Sequence, residues 1–158
     1  MKTTCSVRAM NNKGFTLVEI MIAVAIIALL ASIALPSLRK ARLSTQNAKF
    51  ENDLRIARDA FEMLVTFSGT YPGDETPGVL PAEVQSYLPR FKWTDPTSIG
   101  GQWDWDFDQF GYRAGVSVHL PDRDAGAMLD IDRIIDDGNL LTGSFRQRAN
   151  GYIWIIEE

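Results

Sequence analysis

The chain has 158 residues, 46% of them hydrophobic, with 20 acidic and 16 basic side chains and a formal charge of −4, which leaves room for one domain beside any membrane segment. The acidic balance argues against nucleic acid as a partner, because phosphate binding needs basic surface. A single cysteine, Cys5, excludes an intrachain disulfide and a Cys-based metal set.

Lys13-Gly14-Phe15-Thr16-Leu17-Val18-Glu19 opens an apolar run to Leu35 whose only acidic residue is Glu19. As a helix, Phe15 to Leu35 would be about 31 Å long, enough to cross a hydrocarbon core of roughly 30 Å. A charge near a bilayer core costs roughly 2.5–3.5 kcal/mol on insertion scales, so Glu19 needs a partner unless it snorkels to the headgroups. A secretory signal cut at Ser32-Ile33-Ala34 fits less well, since the run is longer than the usual apolar region and such a signal has no use for Glu19. A plain uncleaved anchor is a second alternative. Arg39, Lys40 and Arg42 balance Lys2, Arg8 and Lys13 across the run, so charge bias sets no orientation. Pro36 either ends the helix or kinks it, and the residues leave both open.

The string Gly14-Phe15 with Glu19, the apolar run and Pro36 resembles the processing site of the type IV pilin and type II secretion pseudopilin family. The resemblance implies that a prepilin peptidase/methyltransferase cuts between Gly14 and Phe15 and N-methylates Phe15, placing Glu19 fifth in the mature chain. It also implies that the new amine of one subunit and Glu19 of a neighbour neutralise each other in a filament core, with a flexible stretch at Pro36. Loss of Lys2, Arg8 and Lys13 would leave 13 basic residues against 20 acidic ones, a formal charge near −7, and would remove Cys5. Many type IV pilins close the C-terminal region with a disulfide, which this chain cannot do.

Beyond Pro36, Leu43, Phe50, Leu54, Ala57, Phe61, Leu64 and Val65 recur mostly at three, four or seven residues, opposite Lys49, Glu51, Arg55, Arg58 and Glu62. This predicts an amphipathic helix stopped at Ser68-Gly69, packed on its own domain's sheet rather than in a coiled coil. Glycines and prolines at 69–81 predict an exposed loop, and Pro81 to Leu88 a short helix. Gln102 to Asp108 alternates strictly, setting Trp103, Trp105 and Phe107 toward the helix and Asp104, Asp106 and Asp108 on the other face. Those carboxylates must be solvated, paired with Lys or Arg, or bound to a cation. The expectation is a solvated acidic face, with calcium at Asp104 and Asp106, or sugar stacking on Trp103 and Trp105, as alternatives.

Tyr112 to Leu120 reads as a second strand with Val116, Val118 and Leu120 on one side and His119, alone, on the other. A helix follows, capped by Asp122 or Asp124, with Ala127, Met128, Ile131, Ile134 and Ile135 at helical spacing and a stop at Gly138. Asp130-x-Asp132 resembles the start of an EF-hand, but Ile134, Ile135 and Leu141 occupy its later positions, and on a helix these acids should mostly face water. The loop from Asp136-Asp137-Gly138-Asn139 to Thr142-Gly143 is the better candidate for a calcium site or a turn. Asn150-Gly151 between two strand-like runs predicts a C-terminal hairpin, whose Arg146 and Arg148 share a face and could pair with the acidic strand.

The expected fold is α+β: a long N-terminal helix packed on a small antiparallel sheet of about four strands, a pilin-like lollipop. The expected parts are a leader at 1–14, a transmembrane or filament-core helix at 15–36, an amphipathic continuation at 37–68 and a globular head at 69–158. The resemblance implies a non-enzymatic structural subunit of a type IV pilus or type II secretion pseudopilus, anchored in the inner membrane with its head outside the cytoplasm. Its implied partners are the peptidase/methyltransferase, other pilin or pseudopilin subunits, an inner-membrane assembly platform with its ATPase motor, and lipid, with no cofactor required. A membrane-anchored ligand-binding module using the Trp/Asp-rich strand is the alternative.

Overall fold

The computed structural model describes residues 14–158, so the expected leader, apart from Gly14, lies outside the described residues. Helix α1 is Leu17–Ser68, strand β1 Gln102–Gln109, β2 Tyr112–His119, helix α2 Ala125–Ile135, β3 Phe145–Arg148 and β4 Gly151–Glu157. Two compact units divide between Ala41 and Arg42.

The first unit is helical from Leu17, and Pro36 lies inside α1 rather than ending it. Pro36 has no N–H to give the carbonyl one turn back, so the ladder lacks a bond there while the helix continues. The large apolar side chains from Leu17 to Leu38 are all at least half exposed.

In the second unit α1 buries Phe50, Leu54, Ala57, Ala60, Phe61 and Leu64, the predicted stripe, although Leu43 is 46% exposed and takes no part in the core. Gly69, at φ 77, closes the helix by donating its N–H to the Val65 carbonyl at 2.8 Å, a left-handed stop that suits glycine. The sheet is antiparallel throughout, in the order β1-β2-β4-β3.

Alternation gives the sheet two unlike faces. Trp103, Trp105, Val116, Val118, Tyr152, Trp154 and Phe145 join the core against α1. Phe50 stacks on Trp103 at 5.4 Å and Phe61 on Trp105 at 3.8 Å, the latter pair within 2° of parallel. Trp103 and Trp105 are therefore 2% and 0% exposed, so the aromatic face meets the helix as expected and the alternative of a sugar-stacking surface is removed.

Other expectations are corrected locally. The helix at 81–88 shrinks to a 3-10 turn at Ala82–Val84, and β2 stops at His119 because Leu120 turns outward at φ 48. Ile134 is 68% exposed, since the buried face of α2 runs through Met128, Ile131 and Asp132. The hairpin pairs Arg148 with Gly151, so the turn is Ala149-Asn150, one residue earlier than the Asn-Gly signal suggests. Asn150 has φ 63, and Gly151 opens β4 because a Cβ there would lie 2.0 Å from the Val118 carbonyl oxygen.

Phe61→Ala is expected to cost about 3–5 kcal/mol by opening a cavity against Trp105, whereas Phe67→Ala, at a residue 74% exposed, should cost under about 1 kcal/mol. Urea unfolding of the two variants, followed by tryptophan fluorescence, measures the contrast.

Candidate processing and assembly site

Gly14, Phe15 and Thr16 precede the helix in a non-helical stretch, and Phe15 is 84% exposed. The Gly14–Phe15 bond thus lies in exposed, non-helical chain, and a Cβ at Gly14 would meet nothing within 4 Å. Glu19 sits in the first turn of α1 and reaches back to Thr16. Its Oε2 accepts the Thr16 backbone N–H at 2.8 Å and the Thr16 hydroxyl at 2.7 Å. The Thr16 Oγ1 in turn accepts the Glu19 N–H at 3.2 Å.

This reciprocal pair is a capping box, which satisfies two otherwise orphaned donors at a helix start. Thr16 is the residue that reading Glu19 toward other subunits passes over, although Thr-x-x-Glu before an apolar run is its sequence signature. The carboxylate is therefore held one residue from the atom that cleavage would turn into an amine. From Leu17 onward α1 is long and apolar enough to cross a membrane, and no part of that apolar window is buried.

The acidic strand behaves differently from the expected solvated face. Asp104 and Asp106 are 3% and 5% exposed. The charge that meets them is the Arg148 guanidinium, whose Nη2 donates to Asp104 Oδ2 at 2.6 Å, with Nε 3.2 Å from Asp106 Oδ2. Nε also donates to Ser117 Oγ at 3.1 Å, and the Ser117 hydroxyl donates to Asp106. Arg148 lies over the Phe110 ring at 4.7 Å. Two carboxylates against one guanidinium leave an excess negative charge out of water. Burial, above all, pushes Asp106 up to about 6, aided by Asp104 and Asp74 and opposed by the Ser117 hydrogen bond and Arg148. Asp108 alone of the three is solvated, paired with Arg113 at 2.7 Å, and Arg146 pairs with Glu158 at 2.7 Å rather than with β1.

In the loop after α2, Asp136 Oδ2 accepts the backbone N–H groups of Ser144 and, at 2.8 Å, Phe145. Asp137 accepts the Asn139 N–H at 2.8 Å and the Thr142 hydroxyl at 2.6 Å, while Asn139 Oδ1 accepts the Leu141 N–H at 3.2 Å. Asp124 caps α2 by accepting the Ala127 N–H at 2.8 Å, as one of the two expected caps.

Residues 9–35 match the family described as the prokaryotic N-terminal methylation motif. That motif is the prepilin-like leader of type IV pilins and pseudopilins, so the chain carries the N-terminus of a pilin-like precursor. The motif belongs to structural proteins, implies processing by prepilin peptidase, and with the apolar helix is consistent with inner-membrane anchoring. No curated protein and no solved structure matches the chain.

Thr16→Ala should speed amide exchange in the first turn of α1 by roughly tenfold, with Thr16→Ser close to the parent. Hydrogen exchange in detergent micelles reads this at Val18 to Met21, and unchanged protection would mean that the cap contributes nothing. Asp106 makes a second expectation. An unfolded Asp ionises near pH 3.9, so between about pH 4 and pH 6 the unfolded chain releases its proton first and stability falls as pH rises through that window. Asp106→Asn should therefore gain on the parent by roughly 2–3 kcal/mol between pH 4 and pH 7. Urea unfolding at both pH values gives the difference, and a gap independent of pH contradicts the shift.

Proposed function

We propose that this chain is a pilin-like subunit, cut between Gly14 and Phe15, N-methylated on Phe15, and assembled through residues 15–36 into a type IV pilus or type II secretion pseudopilus. The observation that carries the reading is the methylation motif at 9–35 joined to the apolar stretch of α1, no part of which is buried. The work of such a subunit is mechanical rather than enzymatic. It waits in the inner membrane with residues 69–158 outside the cytoplasm, and an assembly platform with its motor adds it to other pilin or pseudopilin subunits.

The physics of that addition singles out Glu19. Lipid tails solvate Leu, Ile and Val as well as another helix does, so apolar burial supplies little drive for association within the bilayer. A carboxylate in that setting remains expensive until a cation meets it. Cleavage makes an α-amine at Phe15, cationic below about pH 8, and methylation keeps its charge. The amine of one subunit and Glu19 of the next then neutralise each other and fix the axial register. Within one subunit the Thr16 cap holds Glu19 until that partner arrives, and Pro36, which lacks a helix hydrogen bond, is the point at which the core helix can loosen in the filament.

Peptide mass spectrometry of the membrane-derived protein should find N-methyl-Phe15 as its first residue. Glu19→Ala should still be processed and keep a folded second unit, while filament yield under electron microscopy falls at least about tenfold. A mature protein starting at Met1 or Leu35 would falsify the processing step, and normal filaments from Glu19→Ala would remove the amine pairing.

A further inference from the structure

The buried face of α2 is interrupted by a charge. Met128 and Ile131 are buried at i and i+3, Ile135 packs against the core at i+7, and the i+4 position is Asp132, which is 0% exposed. Both of its carboxylate oxygens are buried and neither has a hydrogen-bond partner. The amides of Gly138 and Asn139 face it without reaching hydrogen-bond geometry, and the Asn139 N–H is given to Asp137. The adjacent base is turned away, since Arg133 pairs with Asp130 at 2.9 Å.

A buried carboxylate with neither donor nor counter-charge is the costliest polar group a fold can hold. Its nearest charges make matters worse: burial first, then the carboxylates of Asp136 and Asp137, hold its ionised form in disfavour. Yet one oxygen from each of Asp132, Asp136 and Asp137 lies within 4.8 Å of the others. Calcium–oxygen bonds of roughly 2.3–2.6 Å place opposite ligands about that far apart.

We propose that Asp132, Asp136 and Asp137 bind one calcium ion, which ties the end of α2 to the start of β3. Asp136 and Asp137 are already aimed: Oδ2 of Asp136 is fixed by the Phe145 N–H at 2.8 Å, and Oδ2 of Asp137 by the Thr142 hydroxyl at 2.6 Å. Gly143, at φ 73, lets the loop close over Asp136, where a Cβ would lie 2.0 Å from that carboxylate. The donor set is all oxygen and anionic, which selects a hard cation. Its irregular arrangement suits the flexible shell of calcium better than the strict octahedron of magnesium, with water completing the coordination. Asp132 supplies the ligand that the loop sequence alone does not reveal, and Asn139 is occupied with Leu141. The site is independent of the filament reading.

The test uses full-length protein in detergent micelles, stripped with EDTA and titrated with calcium chloride by calorimetry and by thermal unfolding. Calcium should bind saturably at one ion per chain and raise the Tm by roughly 5–10 °C at a hundredfold excess over Kd. Asp137→Asn changes an exposed residue and is expected to fold and to bind at least about tenfold more weakly. Asp132→Asn should lose the calcium response and, without calcium, melt no lower than the stripped parent, because the amide removes a like charge. No heat and no Tm change up to about 1 mM calcium would overturn the site, as would an undiminished response in Asp137→Asn. An equal response to magnesium chloride would overturn the assignment to calcium.

Discussion

Arg148 reaches from one edge of the sheet to the other, and the second unit is organised around that crossing. Its own strand, β3, and the strand of Asp104 and Asp106, β1, are the opposite edges of the order β1-β2-β4-β3. The path lies over Gly151, which has no side chain, and over Ser117, whose hydroxyl joins the network. Gly115, the partner of Asp106 on β2, leaves space that the Ile153 side chain fills, with Ile153 Cδ1 2.6 Å from where a Cβ would stand. Small residues in the two middle strands are thus what allow a long side chain to lie flat on the outer face. Residues 15–158 contain no cysteine, so this ion pair and the central position of β4 do the fastening that a disulfide does elsewhere. The arrangement is more than a surface salt bridge, because Arg148 and both acids are nearly dry, and breaking a buried pair costs far more than breaking an exposed one.

Carboxylates held by partners recur in this chain, some buried and some exposed, and each finds a different solution. Asp104 and Asp106 share a guanidinium and remain one positive charge short, and burial above all, with the Asp104 and Asp74 charges adding to it, pushes Asp106 up to about 6. Asp136 and Asp137 turn their oxygens to backbone amides and a hydroxyl of their own loop. Glu19 uses the N–H and hydroxyl of Thr16. Hydrogen bonds of this kind satisfy acceptor lone pairs but leave the net charge in place. In the loop, solvent can screen what is left, while for a carboxylate in a lipid-facing helix only a cation completes the account.

Much of this was legible in the sequence, and the parts that were not share a cause. The α1 stripe and the alternation of Trp103, Trp105 and Phe107 each specify one face through a local period, and both faces meet as expected. The methylation-motif string, which includes Gly14 to Glu19, is likewise local. The pairing of Arg148 with the acidic strand was legible as one option for Arg146 and Arg148, but that Arg148 alone makes it, across 44 residues to Asp104, while Arg146 turns to Glu158, depends on a strand order that hydrophobic pattern does not encode. Asp132 is a subtler case. Its i+4 relation to Met128 places it on the buried stripe, but an acidic residue reads as solvent-facing by type, and here position overrides type. The acidic face failed for the same reason, since alternation correctly set Asp104 and Asp106 opposite the tryptophans but could not show what covers that side.

The Thr16–Glu19 box bears on how such a subunit could tolerate the bilayer before assembly. An uncapped helix start in lipid would expose both the first amides and the carboxylate, and the box answers part of both costs with one side chain. Because its bonds are local, they can be exchanged without moving the helix. On the proposed reading the cation is the amine of a neighbouring subunit, and the switch from the Thr16 hydroxyl and amide to that cation would need a rotation of the Glu19 side chain and no change of fold. A carboxylate that was tightly and permanently paired within its own chain would be a poor instrument for register, since a neighbour could offer it nothing. Satisfied but not neutralised, Glu19 keeps its differential affinity for a cation, and that difference is what a filament contact can use.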